Sequence, residues 1–225
     1  MLRVGRPGRE DGLARPTGEN QNAGTDFPEV VGVADPSTSA SYGIEPLSSA
    51  TWEAFRELVE RHNGIFGGCW CTWFHTMHSE KTHDADDNRD LKQRLVAEGR
   101  AHAALVMDGD RAIAWCQYGA PDELPNIYHR KEYDATSERP PDYRITCIFV
   151  DRAHRHAGVS DIALRGALDL IARDGGGLVE GYPHDNQGKK VSVLYSGTRA
   201  LFERAGFVYD RPKGTRNCVM RKQIA

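Results

Sequence analysis

From residue 42 onward, apolar and polar positions alternate with the periods of strands and helices. Residues 42–47 read as a first strand. Over 51–62, Trp52, Phe55, Leu58 and Val59 share one helical face, and Asn63-Gly64 is a stop. A second helix is expected over 86–98, opened by Asp86 and Asp87, with Leu91 and Leu95 inward and Gly99 at its end. The apolar runs 101–107 and 111–118 meet through Asp108-Gly109 and form a hairpin. Residues 143–150 are apolar enough for a strand buried on both faces. Over 159–173, Asp161, Arg165, Asp169 and Arg173 form one charged stripe, each acid four residues before its base, and the rest of the helix is small or apolar. A strand over 178–182, a short helix over 196–205 closed by Gly206, and strands over 207–209 and 217–221 complete the order β-α-α-β-β-β-α-β-α-β-β. That order is α/β with a mixed sheet.

Two segments stand outside this pattern. Residues 1–40 carry Gly, Pro, Ser, Thr and Asn with few large apolar side chains, too few to offset the entropy of ordering, and are expected to be a disordered tail; an over-long start would read the same. Residues 121–142 hold Pro121, Pro125, Pro140 and Pro141 among many charges and read as a loop inserted into a domain spanning 41–225.

The formal net charge of −3 over 225 residues supplies no electrostatic footprint for nucleic acid. No apolar run is long enough for a bilayer, and no apolar segment follows the early arginines as in a secretory signal. The five cysteines, Cys69, Cys71, Cys116, Cys147 and Cys218, are odd in number and mostly lie in apolar runs, as reduced thiols in a cytoplasm would.

The candidate chemistry begins at residues 150–160, which join a buried strand to an amphipathic helix. A short loop entering a helix offers unpaired N–H groups at the positive end of the macrodipole, a cradle for pyrophosphate. Gly158 permits close approach of an anion, and Arg155 and His156 add donors. An ordinary β–α turn would also fit these residues.

Val150, Arg155 and Gly158 occupy fixed positions of V-x-P-x-x-[RQ]-x-x-G-x-[GA], so the segment resembles the acetyl-CoA signature of the GNAT superfamily of N-acetyltransferases. Arg152 replaces the Pro, and Ser160 the last small residue. Residues 195–207 resemble the second signature, N-x-x-A-x-x-L-Y-x-x-x-G-F, through Leu201, Gly206 and Phe207. There Tyr195 stands in place of Asn, and Phe202 in place of the common catalytic Tyr. Cys69-Trp70-Cys71 and the Pro-rich insertion also resemble one subgroup of that superfamily.

The resemblance implies a GNAT-like mixed, splayed β-sheet flanked by helices, with acetyl-CoA as acyl donor. The pantetheine arm would pair with the backbone of Ile148, Phe149 and Val150, and the pyrophosphate would sit on the amides of His156, Ala157, Gly158, Val159 and Ser160 beside Arg155. An N–H near Ile148 or Val150 would stabilise the oxyanion. The acceptor is expected to be an amine of a small molecule or peptide, attacking the thioester directly. The family's usual strand carboxylate is replaced here by Arg144. Glu180 is the first candidate for base and His184 the second, with a salt bridge at a strand end as the alternative for Glu180. Tyr195 is the candidate acid for the leaving thiolate.

Cys69, Cys71, His75 and His78 invite a metal reading, but Cys-x-Cys is not the usual zinc spacing and no second pair supports it, so no metal is expected. Phe66, Trp70, Trp73 and Phe74 are expected to wall the acceptor pocket or to pack in the core. The run Tyr128–Tyr133 could meet an acceptor or the second subunit of a homodimer, with a solvated loop as the plainer reading. Two rival functions remain: a non-catalytic acyl-CoA-binding module, favoured by Phe202, and a protein-interaction domain that retains only the fold.

Overall fold

The computed structural model of the chain describes residues 42–185 and 195–225. The tail expected over 1–40 lies outside the described residues. Strands β1 (Gly43–Pro46), β2 (His102–Asp108), β3 (Arg111–Gly119), β4 (Tyr143–Val150), β5 (Gly177–Gly181), β6 (Val208–Lys213) and β7 (Asn217–Ile224) form one sheet in the order β1-β2-β3-β4-β5-β7-β6. Every neighbouring pair is antiparallel except β4 and β5.

Two layers cover the sheet. Helix α4 (Val159–Arg173) lays Val159, Ala163, Leu164, Ala167 and Ile171 on one face, where the short helix α5 (Arg199–Arg204) adds Leu201 and Phe202. The charged stripe points outward, and Arg165 Nε donates to Asp161 at 2.6 Å across one turn. Helices α1 (Trp52–Glu60) and α2 (Ala85–Ala97) cover the opposite face, where Trp52, Phe55 and Leu58 meet Leu105, Trp115 and Phe149. Asp84 caps α2 by accepting the amides of Asp86 and Asp87. Strand β4 alternates between the layers, with Ile148 toward α4 and Cys147 and Phe149 toward α1.

The insertion differs from the solvated loop its composition suggests. It contains helix α3 (Arg130–Thr136), and Leu124, Ile127 and Tyr133 are buried. Buried Arg144 donates to the Leu124 carbonyl at 2.7 Å, so the side chain that replaces the usual carboxylate ties this segment to the sheet. Three widely spaced apolar residues among many charges leave no periodic signal, which is why the packing was hidden.

The parallel pairing of β4 and β5 is brief: Tyr143 with Val179, Arg144 with Glu180 and Ile145 with Gly181. Beyond it the strands part. Gly181 closes β5 against the edge of the Phe202 ring, where a Cβ would collide with the aromatic carbons. Phe202 is fully buried and packs edge-on to Phe207 at 5.0 Å, so the apolar ring suits a site that would leave a hydroxyl in the core.

Gly181→Ala should therefore destabilise the fold by about 1–3 kcal/mol through overpacking, read as a lower urea midpoint at unchanged slope. Phe202→Leu in the same chain should recover part of that loss. Strict additivity of the two substitutions would show that the ring does not set the position of β5.

Candidate acyl-transfer site

The 150–160 loop leaves β4 and enters α4 through a turn held from behind. Asp151, itself buried, accepts the Ala153 amide at 3.1 Å and lies 3.5 Å from His62, Arg61 and Arg111. Burial pushes the Asp151 carboxyl up, but the hydrogen bond from the Ala153 amide, with His62 and Arg61 close by, outweighs it and brings the carboxyl below its ordinary range. His156 and Gly158 take positive φ, 64° and 77°, and a Cβ at Gly158 would meet open space. Among the described residues, the amides of His156, Ala157, Gly158, Val159 and Ser160 have no protein acceptor, and the first three of these residues are exposed. Val159 is a buried anchor on the sheet, and Ser160 is half-buried. Arg155 folds back, its Nε donating to the Val150 carbonyl at 3.3 Å, and leaves its remaining donors at the loop surface.

Where β4 leaves β5, the Ile148 amide points into the gap and donates to the Tyr195 carbonyl at 2.6 Å. Strand alternation turns the Val150 amide the same way and the Phe149 amide toward β3. Ile148 and Val150 thus offer backbone groups to the gap. Phe149 offers its ring to the core, stacked on Trp115 at 4.7 Å.

The gap opens onto a cavity of about 720 Å³ lined by Phe66, Trp73, Phe74, Tyr128, Tyr195 and the cysteines Cys69, Cys71 and Cys147, among others. Its far wall is the turn between α1 and α2. Asn88 of α2 holds that turn, its Nδ2 donating to the Gly68 carbonyl at 2.9 Å and its Oδ1 accepting from Thr72 at 2.7 Å. Asn63, Ile65, Phe66, Trp70 and Cys71 all sit at positive φ, a conformation costing non-glycine residues on the order of 1–3 kcal/mol each and kept only where packing dictates it. Of the four aromatics expected at the pocket, Phe66, Trp73 and Phe74 line it, whereas Trp70 is buried against Trp52 at 6.2 Å. Tyr128 stacks on Trp73 at 3.9 Å, and Lys81 Nζ lies 3.6 Å from the centroid of the Trp73 ring.

Tyr195 precedes α5 rather than belonging to it, so its direction comes from the cavity wall and not from helical spacing. Its ring meets Phe66 and Tyr128 at 6.0 Å and His184 at 5.7 Å. Burial, with the neighbouring Tyr128 hydroxyl, pushes the phenol well above its ordinary pKa and keeps it protonated. Burial pushes the His184 imidazole below its ordinary value, and neither ring nitrogen has a partner among the described residues.

Glu180 lies elsewhere. It is fully buried but does not line the cavity. Its Oε2 accepts from Tyr133 at 2.7 Å and Tyr182 at 2.9 Å, and its Oε1 accepts from Arg221 Nε at 2.9 Å. This is the salt-bridged arrangement weighed above as the alternative for a strand carboxylate, and it joins β5, β7 and the insertion.

Tyr128, from the run read as meeting an acceptor or a second subunit or as a solvated loop, lines the cavity, whereas sequence reasoning did not find the buried cluster of Lys92, Gln117 and His75. A lysine at a helix position flanked by buried residues was the available signal. Cys69, Cys71 and His75 lie on the turn or just beyond it, and the side chain of His78 falls outside the described residues. Among the described residues, no three His, Cys, Asp or Glu side chains are grouped to hold a metal. No helix among them is long and apolar enough to cross a membrane.

Neither a family model nor a curated protein matches the chain. Solved structures do. A protein of the GNAT family from Desulfovibrio desulfuricans, named as an acetyltransferase, superposes with a TM-score of 0.50 at 17% identity, over 82% of this chain and 100% of that one. A mosquito arylalkylamine N-acetyltransferase-like protein gives 0.48 at 15% identity over 82% of this chain and 100% of its own. A protein from Salmonella typhimurium, named as an acetyltransferase and solved with acetyl-CoA, gives 0.46 at 13% over 82% and 94%. The fold is that of the GNAT acetyltransferases: a mixed sheet that parts between its fourth and fifth strands, flanked by helices.

Glu180→Gln should cost about 2 kcal/mol of folding stability. That lies below the roughly 3–5 kcal/mol for orphaning a buried charge, because Arg221 keeps Asp210 at 3.7 Å. Urea unfolding checks the loss, and cofactor affinity should be unchanged. A normal unfolding midpoint would remove Glu180 from the support of the sheet.

Proposed function

We propose that this chain is an acyl-CoA-dependent N-acyltransferase, with acetyl-CoA as the donor and a small amine of apolar or aromatic body as the acceptor. The observation that carries this reading is the run of acceptor-free amides from His156 to Ser160 at the start of α4, continuous with the gap beside β4. Pyrophosphate suits those amides, the positive end of the helix and Arg155. The pantetheine arm would follow β4 at Ile148 and Val150, taking the Ile148 amide from the Tyr195 carbonyl. The thioester would then enter a cavity walled by aromatic rings, which suits an apolar acceptor better than a charged peptide.

Tyr195 is assigned as the acid. Its protonated phenol stands at the cavity wall and can supply the departing CoA thiolate with a proton. His184, beside it and neutral, is assigned to accept the amine proton, directly or through one water. With both oxygens of Glu180 engaged by two phenols and an arginine, proton acceptance passes to this histidine. The amide of Ile148 or Val150 would donate to the oxyanion.

CoA should stabilise the protein against heat, by about 2.7 kcal/mol at a hundredfold excess over Kd. Gly158→Glu should abolish that gain, because it sets negative charge where phosphate would lie. A folded Gly158→Glu protein with undiminished CoA affinity would place the pyrophosphate elsewhere.

Tyr195→Phe should lower kcat with little change in CoA affinity, and because burial lifts the phenol well above its ordinary pKa, the parent should show no alkaline loss of activity from this group in the ordinary phenol range. Because burial lowers the His184 pKa, activity should persist below the usual imidazole range and fall only when that ring protonates. His184→Ala should eliminate this acid limb. An undiminished kcat in Tyr195→Phe and a retained acid limb in His184→Ala would mean that neither residue moves a proton.

A further inference from the structure

Lys81, which lies just before α2, is the one lysine or arginine lining the cavity, and no aspartate or glutamate lines it. The acidic side chains nearest to Lys81 in the chain are engaged elsewhere. Glu80 accepts the Met77 amide at 3.3 Å, and Asp84 caps α2. Asp86 accepts from Arg89 at 2.8 Å, and Asp87 accepts from Thr82 Oγ1 at 3.2 Å. What the Lys81 ammonium meets is the face of the Trp73 ring, 3.6 Å from its centroid. A ring face holds a cation more weakly than a carboxylate does. Burial brings the Lys81 pKa below its ordinary value, as expected for an ammonium partly withdrawn from water without a counter-ion.

The neutral polar groups of the inner wall are already satisfied. Thr72 and Asn88 bond to each other and to the Cys69 and Gly68 carbonyls. The rest of the wall is largely aromatic, and two of its rings, Phe66 and Tyr128, are exposed. Trp73 and Tyr128 stack at 3.9 Å, too close to admit an ammonium between them, so Lys81 lies on the face of Trp73 away from Tyr128. Tyr195 meets Tyr128 at 6.0 Å and His184 at 5.7 Å. The ammonium and the proton-transfer pair thus stand at opposite ends of a row of rings. A ligand that reaches both ends needs an apolar stretch between its two polar groups.

We propose that the acceptor is an amine carrying a carboxylate at the far end of an apolar or aromatic spacer, and that Lys81 pairs with this carboxylate and sets the specificity. This inference rests on the acyltransferase reading above and names its acceptor class. The aromatic walls take the spacer, and the amine is presented to the thioester beside His184. A diamine would bring its second ammonium against Lys81 with no acid to receive it. An α-amino acid carries both polar groups on one carbon and cannot engage both ends of the row.

The test follows release of the CoA thiol by the full chain from acetyl-CoA with three amines: 2-phenylethylamine, 4-(2-aminoethyl)benzoate and phenylalanine. The aminoethylbenzoate should exceed phenylethylamine in kcat/KM by about tenfold, the lower end of what a hydrogen bond to a charged group contributes. Lys81→Met should erase that preference and Lys81→Glu should reverse it, while CoA still stabilises both variants against heat. Without CoA or an amine, 4-ethylbenzoate should stabilise the parent against heat and leave Lys81→Met unmoved. Equal kcat/KM for the first two amines, or a preference that survives in Lys81→Met, overturns the role of Lys81. Faster turnover of phenylalanine than of the aminoethylbenzoate overturns the spacer. If no amine is acetylated and 4-ethylbenzoate still stabilises only the parent, the acyltransferase reading fails and the carboxylate site stands. If 4-ethylbenzoate also has no effect, both fall.

Discussion

The sheet is continuous except where β4 and β5 separate, and the candidate site depends on that separation. Three residue pairs hold the two strands together before the Phe202 ring and the bare backbone of Gly181 end β5. A strand edge inside a sheet would normally be sealed by its neighbour. Here the edge of β4 faces a gap, and a loop rich in free amides continues from its end. Had β5 followed β4 to Val150, neither the cavity nor an approach to it would exist.

Two buried polar clusters flank this opening, and their chemistry differs. Around Glu180, a carboxylate meets an arginine and two phenols, so charge and hydrogen-bonding capacity are matched and the cluster braces β5. Around Lys92, a buried amine meets an amide oxygen and a neutral imidazole, and burial brings its pKa below the ordinary value. The first arrangement is expensive to disturb and has little left to offer a ligand. The second lies beneath the aromatic turn, where an amine without a carboxylate partner is costly to keep charged. The inserted segment contributes to both sides, through Tyr133 at Glu180 and through Glu123, whose carbonyl fixes the His75 tautomer.

Most of the scaffold could be read from one-dimensional patterns. Helix α4 has the bounds its charged stripe and flanking glycines require, and the hairpin turns at Asp108-Gly109, because these signals repeat within a few residues. The loop before α4 was equally legible, since its glycine and its position between a strand and a helix are local. Helix α3 and the buried Leu124, Ile127 and Tyr133 were not, because their packing depends on Arg144, which is distant in sequence.

The sequence by itself determined the order of the elements apart from α3, the strand–loop–helix unit and the presence of an aromatic, cysteine-bearing turn. Periodicity and turn chemistry are short-range properties, and they survive without a fold. Only the tertiary structure decided that Trp70 is core while Phe66, Trp73 and Phe74 line a cavity, and that Glu180 is spent on Arg221. It likewise decided that Tyr195 stands beside His184, and that Lys92 is buried against Gln117 and His75. A side chain's protonation and partners depend on which distant groups share its low-dielectric surroundings, and only the packed chain brings those groups within reach.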